Sequence, residues 1–180
     1  MHLIIPTEQE LALVIANAMR AALASLRSAH PESFYYITLF TSGEALSPEL
    51  SAWSVEALAR VQAERGTDAA ALLMWSYADS PYFAFGEPEF SEVRRLFGLR
   101  PDTRGLGGPE LYAECALRLR AMEAAIVLLD QEGQFGTGES RLSVVVNAEV
   151  MPPDVGNTER ALRLNPPHAL REWLLEAAER

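Results

Sequence analysis

The fold class is decided by residues 34–41, whose sequence is Phe34-Tyr35-Tyr36-Ile37-Thr38-Leu39-Phe40-Thr41. Every residue in this run is aromatic, β-branched or leucine, so neither face of the segment is polar throughout. Such a pattern is typical of a strand that is covered on both faces inside a sheet. The turn residues Ser42 and Gly43 follow it. We therefore predict a central strand here and expect the other elements to pack around it.

Helix signals lie on both sides of this strand. Upstream, Thr7 and Glu10 have the spacing of a capping box, and apolar residues recur at helical intervals as far as His30-Pro31. Downstream, helices are predicted over residues 88–97, 109–130 and 157–164, and after Asn165-Pro166. Two of these predictions name inward-facing residues. They are Phe90, Val93 and Phe97 in the first, and Leu111, Cys115, Leu119, Met122, Ile126 and Leu129 in the second.

Three further segments bear on the sheet. Residues 70–75 are predicted as a buried strand, and residues 142–150 alternate in polarity as a half-exposed or edge strand does. Residues 47–54 have two readings: a helix that starts at Ser47-Pro48, or a short strand followed by a helix that Ser54 caps and Gly66 closes. The sequence thus predicts a single α+β domain over residues 1–180. Its sheet is expected to have three to four strands, mostly antiparallel, packed with five to six helices.

Composition excludes several classes of partner. The formal charge of -10 disfavours nucleic acid and anionic membranes, and it suits a basic protein partner. All fifteen basic residues are arginine, so neither a Schiff-base lysine nor a P-loop lysine exists. Cys115 is the single cysteine, and the first six residues are too short an apolar run for a signal peptide. We expect a cytoplasmic protein. No motif indicates a cofactor or a metal site.

The region with the strongest functional signal is residues 74–85, which hold five of the fifteen aromatic residues. The candidate binding residues are Trp75, Tyr77, Asp79, Ser80 and Tyr82, because their polar ends require water or a partner. Two structural alternatives stay open. Trp75 could fill the core, and Asp79 could hold a turn by bonding the backbone that follows it.

The chain also resembles a known family. The motifs are Phe34-Tyr35-x-x-x-Leu39-x-Thr41-Ser42-Gly43, Ser54-x-Glu56-x-Leu58, Trp75-Ser76-x-x-Asp79-Ser80-Pro81-Tyr82 and Leu164-Asn165-Pro166. They are similar to a bacterial family that is catalogued as a domain of unknown function. The resemblance implies a small cytosolic α+β domain without an established activity, so no catalytic residue is carried over. Some similar small acidic proteins lie among bacterial toxin and immunity systems.

Three functional hypotheses follow. The first is a non-enzymatic interaction protein that recognises a protein partner through the 75–82 region, with neutralisation of a toxin as one form of that role. The second is an enzyme or small-ligand binder, in which Asp79 acts as acid or base in a pocket walled by Trp75, Tyr77 and Tyr82, assisted by His168 or Glu87. The third is a structural subunit that pairs with a second copy through the edge of the strand at residues 142–150.

Overall fold

The computed structural model describes residues 5–179, so the sequence prediction for the first residues lies partly outside it. Within this range the chain forms three strands, seven α-helices and two short 3₁₀ helices, at Thr103–Gly105 and Gly138–Ser143. The strands are β1 (Phe34–Ser42), β2 (Glu49–Ser54) and β3 (Val145–Met151). The α-helices are α1 (Glu8–Ala29), α2 (Val55–Arg65), α3 (Thr67–Leu73), α4 (Ser91–Phe97), α5 (Gly108–Gln131), α6 (Val155–Leu164) and α7 (Arg171–Glu176).

The sheet has the order β2-β1-β3, so β1 is the central strand, as predicted. The α+β class and the strand number are confirmed. The pairing is mixed, because β1 runs antiparallel to β2 but parallel to β3. Helices α1 and α5 pack against each other, and the apolar side chains on them form the core with the sheet.

Helix α1 begins with the predicted capping box. The Thr7 hydroxyl accepts a bond from the Glu10 N–H at 3.2 Å, and the Glu10 carboxylate accepts one from the Thr7 N–H at 2.7 Å. By length and composition this helix, alone among the described residues, could cross a membrane. Half of its most apolar stretch is nevertheless buried inside the fold, and core helices of soluble proteins can have the same length and composition.

The second reading of residues 47–54 is confirmed. β2 is followed directly by α2, the Ser54 hydroxyl accepts the Ala57 N–H at 2.9 Å, and Gly66 closes the helix with a φ of 91°. The predicted strand at residues 70–75 is wrong, because residues 67–73 form α3 and a turn follows. The run holds alanine and leucine without β-branched residues, and these favour a helix. Only Ala70 of α3 is buried, and Leu72 is 83% exposed.

β3 lies at an edge as predicted, but it starts later and is not half-exposed. Residues 145–149 are buried on both faces. The outer backbone groups of β3 are bonded by three side chains. Asn165 binds the N–H and C=O of Val146, Asn157 binds both groups of Val150, and Arg160 donates to the C=O of Ala148. These bonds occupy backbone groups that pairing with a second copy through this edge would need, so they disfavour that hypothesis.

Two further predictions need correction. In α5, Leu111, Cys115 and Leu119 are only half-buried, whereas Glu114 and Arg118 are buried and form an ion pair at 2.7 Å, with Arg100 as a second partner of Glu114. Asn165 does not cap the last helix, because its amide is bound to β3 and α7 begins only at Arg171.

The burial predicted for three residues of the helix at 88–97, Phe90, Val93 and Phe97, is confirmed, although this helix, α4, begins only at Ser91.

Candidate functional site

Residues 74–85, called here the covering segment, lie across one face of the sheet. Side chains of β1 and β2 hold its backbone carbonyls in place. Tyr35 donates to Met74 at 2.6 Å, Trp53 donates its indole N–H to Ser76 at 2.7 Å, and Ser51 donates to Tyr77 at 2.8 Å. The segment is thus an ordered surface fixed to the sheet, although it has no regular secondary structure.

The strand register shows which side chains share the central part of this face. Phe40 of β1 is paired with Glu49 of β2 and with Glu149 of β3. Paired residues in neighbouring strands point to the same side of a sheet, so one aromatic ring is flanked by two carboxylates. Phe40 lies four positions after Tyr36, which places these two side chains about 13 Å apart along the strand.

Three rings form a stack at the Phe40 end of the covering segment, and we call this group the aromatic stack. Phe40 packs against Tyr77 with ring centroids 4.5 Å apart, and against Phe83 at 5.0 Å. The ring planes are within 24° of parallel. Phe83 is 48% exposed, and Phe40 and Tyr77 are half-buried. An apolar aromatic surface therefore faces solvent at the place where the sequence predicted recognition.

Of the five predicted binding residues, Tyr77 belongs to the aromatic stack, and Asp79 lies two residues further along the chain. Asp79 is exposed, and its carboxylate accepts a bond from the Ser76 hydroxyl at 2.5 Å. This bond lies within the turn, but it joins Asp79 to a preceding side chain and not to the following backbone that the structural alternative named. The carboxylate stays in contact with solvent. Burial, together with the nearby Glu149 carboxylate, raises the pKa of Tyr77.

Ser80 and Tyr82 are buried, so the expectation that their polar ends face solvent is wrong. Ser80 donates to the Ala52 carbonyl and accepts the Tyr82 N–H. The Tyr82 hydroxyl donates to Glu32 at 2.5 Å and accepts from Arg60 at 3.0 Å. Hydrogen bonds from Arg60, Ser54 and Tyr82 overcome the effect of burial and lower the pKa of Glu32 to about 2. These residues hold the covering segment onto β2 and α2.

Trp75 lies at the other end of the segment, in a cleft of about 500 Å³. His168 lines the same cleft, but Asp79, Tyr77 and Tyr82 do not. The predicted acid–base pocket with Asp79 between the rings is therefore not assembled. The lining residues are Tyr35, Val55, Leu58, Met74, Trp75, Leu142, Ser143, Val145, His168, Ala169, Arg171 and Glu172.

A cluster of buried polar groups lies beneath the segment. Within residues 5–179, three of its buried polar atoms have no hydrogen-bond partner: the Tyr36 hydroxyl, the Trp173 indole N–H and Oε2 of Glu149. Burial raises the pKa of Glu149 to about 7, although Tyr36, Thr38 and Arg160 act in the opposite direction. Burial, and then Glu149, raise the pKa of Tyr36 well above its ordinary value. Carboxyl groups with strongly shifted pKa values, such as Glu149, are concentrated at functional sites.

Sequence reasoning missed Phe40, Phe83 and Glu149. The sequence identifies Phe40 only as a strand residue, Phe83 only as one of the rings that could fill the core, and Glu149 only as part of the polar side of an alternating strand. The proximity of Phe40 to Phe83 depends on the path of the covering segment, which no sequence periodicity records. In the part of the chain described here, no group of three His, Cys, Asp or Glu residues is arranged to hold a metal ion.

Comparison with known proteins gives one match. Residues 15–166 match the family model described as a domain of unknown function, DUF4303. The chain belongs to this family. The predicted resemblance to a domain of unknown function is thus confirmed for DUF4303, and the matched range contains the covering segment and all three strands. No curated protein and no solved structure matches the chain.

Proposed function

We propose that this DUF4303 protein is a non-enzymatic, cytoplasmic interaction protein that binds a protein partner through the aromatic stack. One observation carries the proposal: the Phe83 ring packs on Phe40 and Tyr77 and is nevertheless exposed to solvent, within a segment that is held in place by the sheet. Rigid aromatic groups that are partly exposed are typical of the energetic centres of protein interfaces. Neutralisation of a toxin by such binding is one form that this function can take.

Charge supports a basic partner. Asp79 is exposed two residues after Tyr77, and Glu49 is paired with Phe40 in the sheet. Within residues 5–179, neither carboxylate is joined to an arginine in an ion pair. The whole chain carries a formal charge of -10. A partner with arginine or lysine around an apolar centre would match this surface, and the complementary charge would accelerate association.

The small-ligand alternative with Asp79 as acid or base has less support. Asp79 is bonded to a serine on an exposed turn and does not line the cleft. General acid–base catalysis needs the group within hydrogen-bond reach of a bound substrate. An aromatic surface that faces solvent suits a macromolecule better than a small substrate.

A photocrosslinking experiment tests the proposal. p-Benzoylphenylalanine is placed at position 83, and at position 112 as the matched control, because Tyr112 is an aromatic residue 78% exposed on α5. We expect a protein that crosslinks only from position 83. The purified partner should then bind Phe83→Ser at least tenfold more weakly than the wild type, and Tyr112→Ser unchanged.

Two results would contradict the proposal. One is the absence of any crosslinked protein specific to position 83. The other is equal affinity of the purified partner for the wild type and for Phe83→Ser. Because Phe83 is half exposed, its substitution leaves the core intact, and a thermal melt of each variant verifies that point.

A further inference from the structure

The cleft at the Trp75 end of the covering segment has the dimensions of a ligand site. Its volume of about 500 Å³ lies within the range of small-molecule pockets. It lies between the start of β3, the start of α2 and residues 168–172. The aromatic stack lies at the other end of the same segment, so the cleft is a separate surface.

Two rings that are already bonded at their polar ends form its walls. Tyr35 and Trp75 meet edge to face, with centroids 5.3 Å apart and planes at 85°. The Tyr35 hydroxyl donates to the Met74 carbonyl at 2.6 Å, and the Trp75 indole N–H donates to the Glu176 carboxylate at 3.0 Å. A ligand would thus meet apolar ring surfaces whose hydrogen-bonding groups are already bonded within the protein.

The mouth of the cleft adds exposed apolar side chains. Val55 is 55% exposed and Leu142 is 37% exposed, while Leu58, Met74 and Val145 lie further in. Contact with these groups would remove apolar surface from water, which stabilises a bound apolar or aromatic group.

Hydrogen-bond donors predominate among the polar groups of the lining. Arg171, His168 and Ser143 can donate, and Glu172 is the one lining carboxylate. Within residues 5–179, the Arg171 side chain makes no hydrogen bond and no ion pair within 4.0 Å, not even with Glu172. A planar guanidinium without a partner is well suited to bind a carboxylate through two parallel bonds.

We infer that the cleft binds an amphipathic carboxylate, with an aromatic or branched apolar group against the ring surfaces of Tyr35 and Trp75 and its carboxylate on Arg171. A free organic acid and the C-terminal residue of a polypeptide present the same chemistry. This site is independent of the proposed protein-binding function, because none of the stack residues lines the cleft.

The test follows the Trp75 indole N–H resonance of ¹⁵N-labelled protein during titration. The probes are 3-phenylpropionate and a hexapeptide that ends in phenylalanine, with 3-phenylpropylamine and the amidated hexapeptide as matched controls without the carboxylate. We expect saturable shifts with at least one carboxylate probe and about tenfold weaker binding of its control. Binding by the free acid alone assigns a small molecule, binding by the peptide alone assigns a chain terminus, and binding by both supports the shared chemistry.

Arg171→Gln and Glu172→Gln separate the named contact from general charge effects. Both residues are exposed, so both variants are expected to fold. Arg171→Gln should lower the affinity for the carboxylate probe about tenfold. Glu172→Gln should leave the affinity for the same probe unchanged or raise it. The inference is overturned if neither probe gives a saturable shift at millimolar concentration, if the amine binds as tightly, or if Arg171→Gln binds equally well. Phe83→Ser should bind the probe normally, which separates this result from the fate of the proposed function.

Discussion

Gly86 is the residue at which the covering segment turns towards α1. Its φ is 77°, a conformation that side-chain-bearing residues rarely adopt. A Cβ at this position would lie 2.5 Å from the Cβ of Ala22 and 3.3 Å from its Cα. Both the backbone conformation and the helix packing therefore require glycine here.

Gly86→Ala is expected to lower the free energy of unfolding by about 2–4 kcal/mol, from the positive φ and the clash together. Denaturant unfolding measures the change. The matched control is Gly105→Ala, since a Cβ there has no neighbour within 4 Å and its φ is ordinary. That substitution should be neutral or slightly stabilising. A loss below 1 kcal/mol for Gly86→Ala would show that the turn moves away from α1 without cost.

At the same scale, the candidate site was only partly predictable. The concentration of rings in residues 74–85 located the region, but it did not distinguish Tyr77, at the surface, from Tyr82, bonded to Glu32 and Arg60. The covering segment has no regular periodicity, so sequence spacing does not report the direction of its side chains. The contribution of Phe40 is visible only once the sheet register is known.

Elements with strong local signals were predicted well. The capping box placed the start of α1, and Ser54 and Gly66 placed both ends of α2. The strand predicted at residues 70–75 failed because a short apolar run has no period that distinguishes a strand from a helix. The burial of β3 was unpredictable for another reason: α6 covers it, and that contact is set by tertiary structure.

Asn165 links α6 to β3, and its removal tests how much this link contributes. Its amide bonds both backbone groups of Val146, at 2.8 and 2.6 Å, and the Ala161 carbonyl at 2.9 Å. Asn165→Ala would leave buried backbone groups without partners. We expect a loss of about 2–5 kcal/mol in the free energy of unfolding.

Asn17→Ala is the control for this substitution, because Asn17 is exposed on α1 and bonds only Arg20. Its effect should stay within about 0.5 kcal/mol. Amide hydrogen exchange adds a local measurement, in which Val146 should exchange faster in Asn165→Ala. Unchanged protection of Val146 would mean that another group covers this edge.

At the scale of the whole molecule, the raised pKa of Glu149 leads us to expect an unusual dependence of stability on pH. Its pKa rises from the ordinary 4.5 to about 7 in the folded state. Between these values the folded protein keeps a proton that the unfolded chain releases. The contribution of Glu149 to stability is therefore complete below pH 4.5 and is lost as the pH rises through 7, by up to about 3 kcal/mol.

Unfolding of the wild type and of Glu149→Gln should be compared across pH 4 to 9. Glutamine is neutral at every pH, so the difference between the two proteins isolates the titration of Glu149 from that of Glu32 and other carboxylates. We expect Glu149→Gln to gain stability relative to the wild type as the pH rises. A difference that does not vary with pH would show that Glu149 titrates normally.

The opposite edge of the sheet, which is formed by β2, also has backbone groups that are already bonded. There, the Phe85 N–H donates to the Leu50 carbonyl at 2.9 Å, and Ser80 bonds the Ala52 carbonyl. Both edges of this three-stranded sheet therefore have backbone groups that are already bonded, which disfavours the addition of a strand from another polypeptide. We therefore expect a protein partner to be selected by side-chain shape and charge, and fibril growth through these edges to be disfavoured for as long as the fold persists.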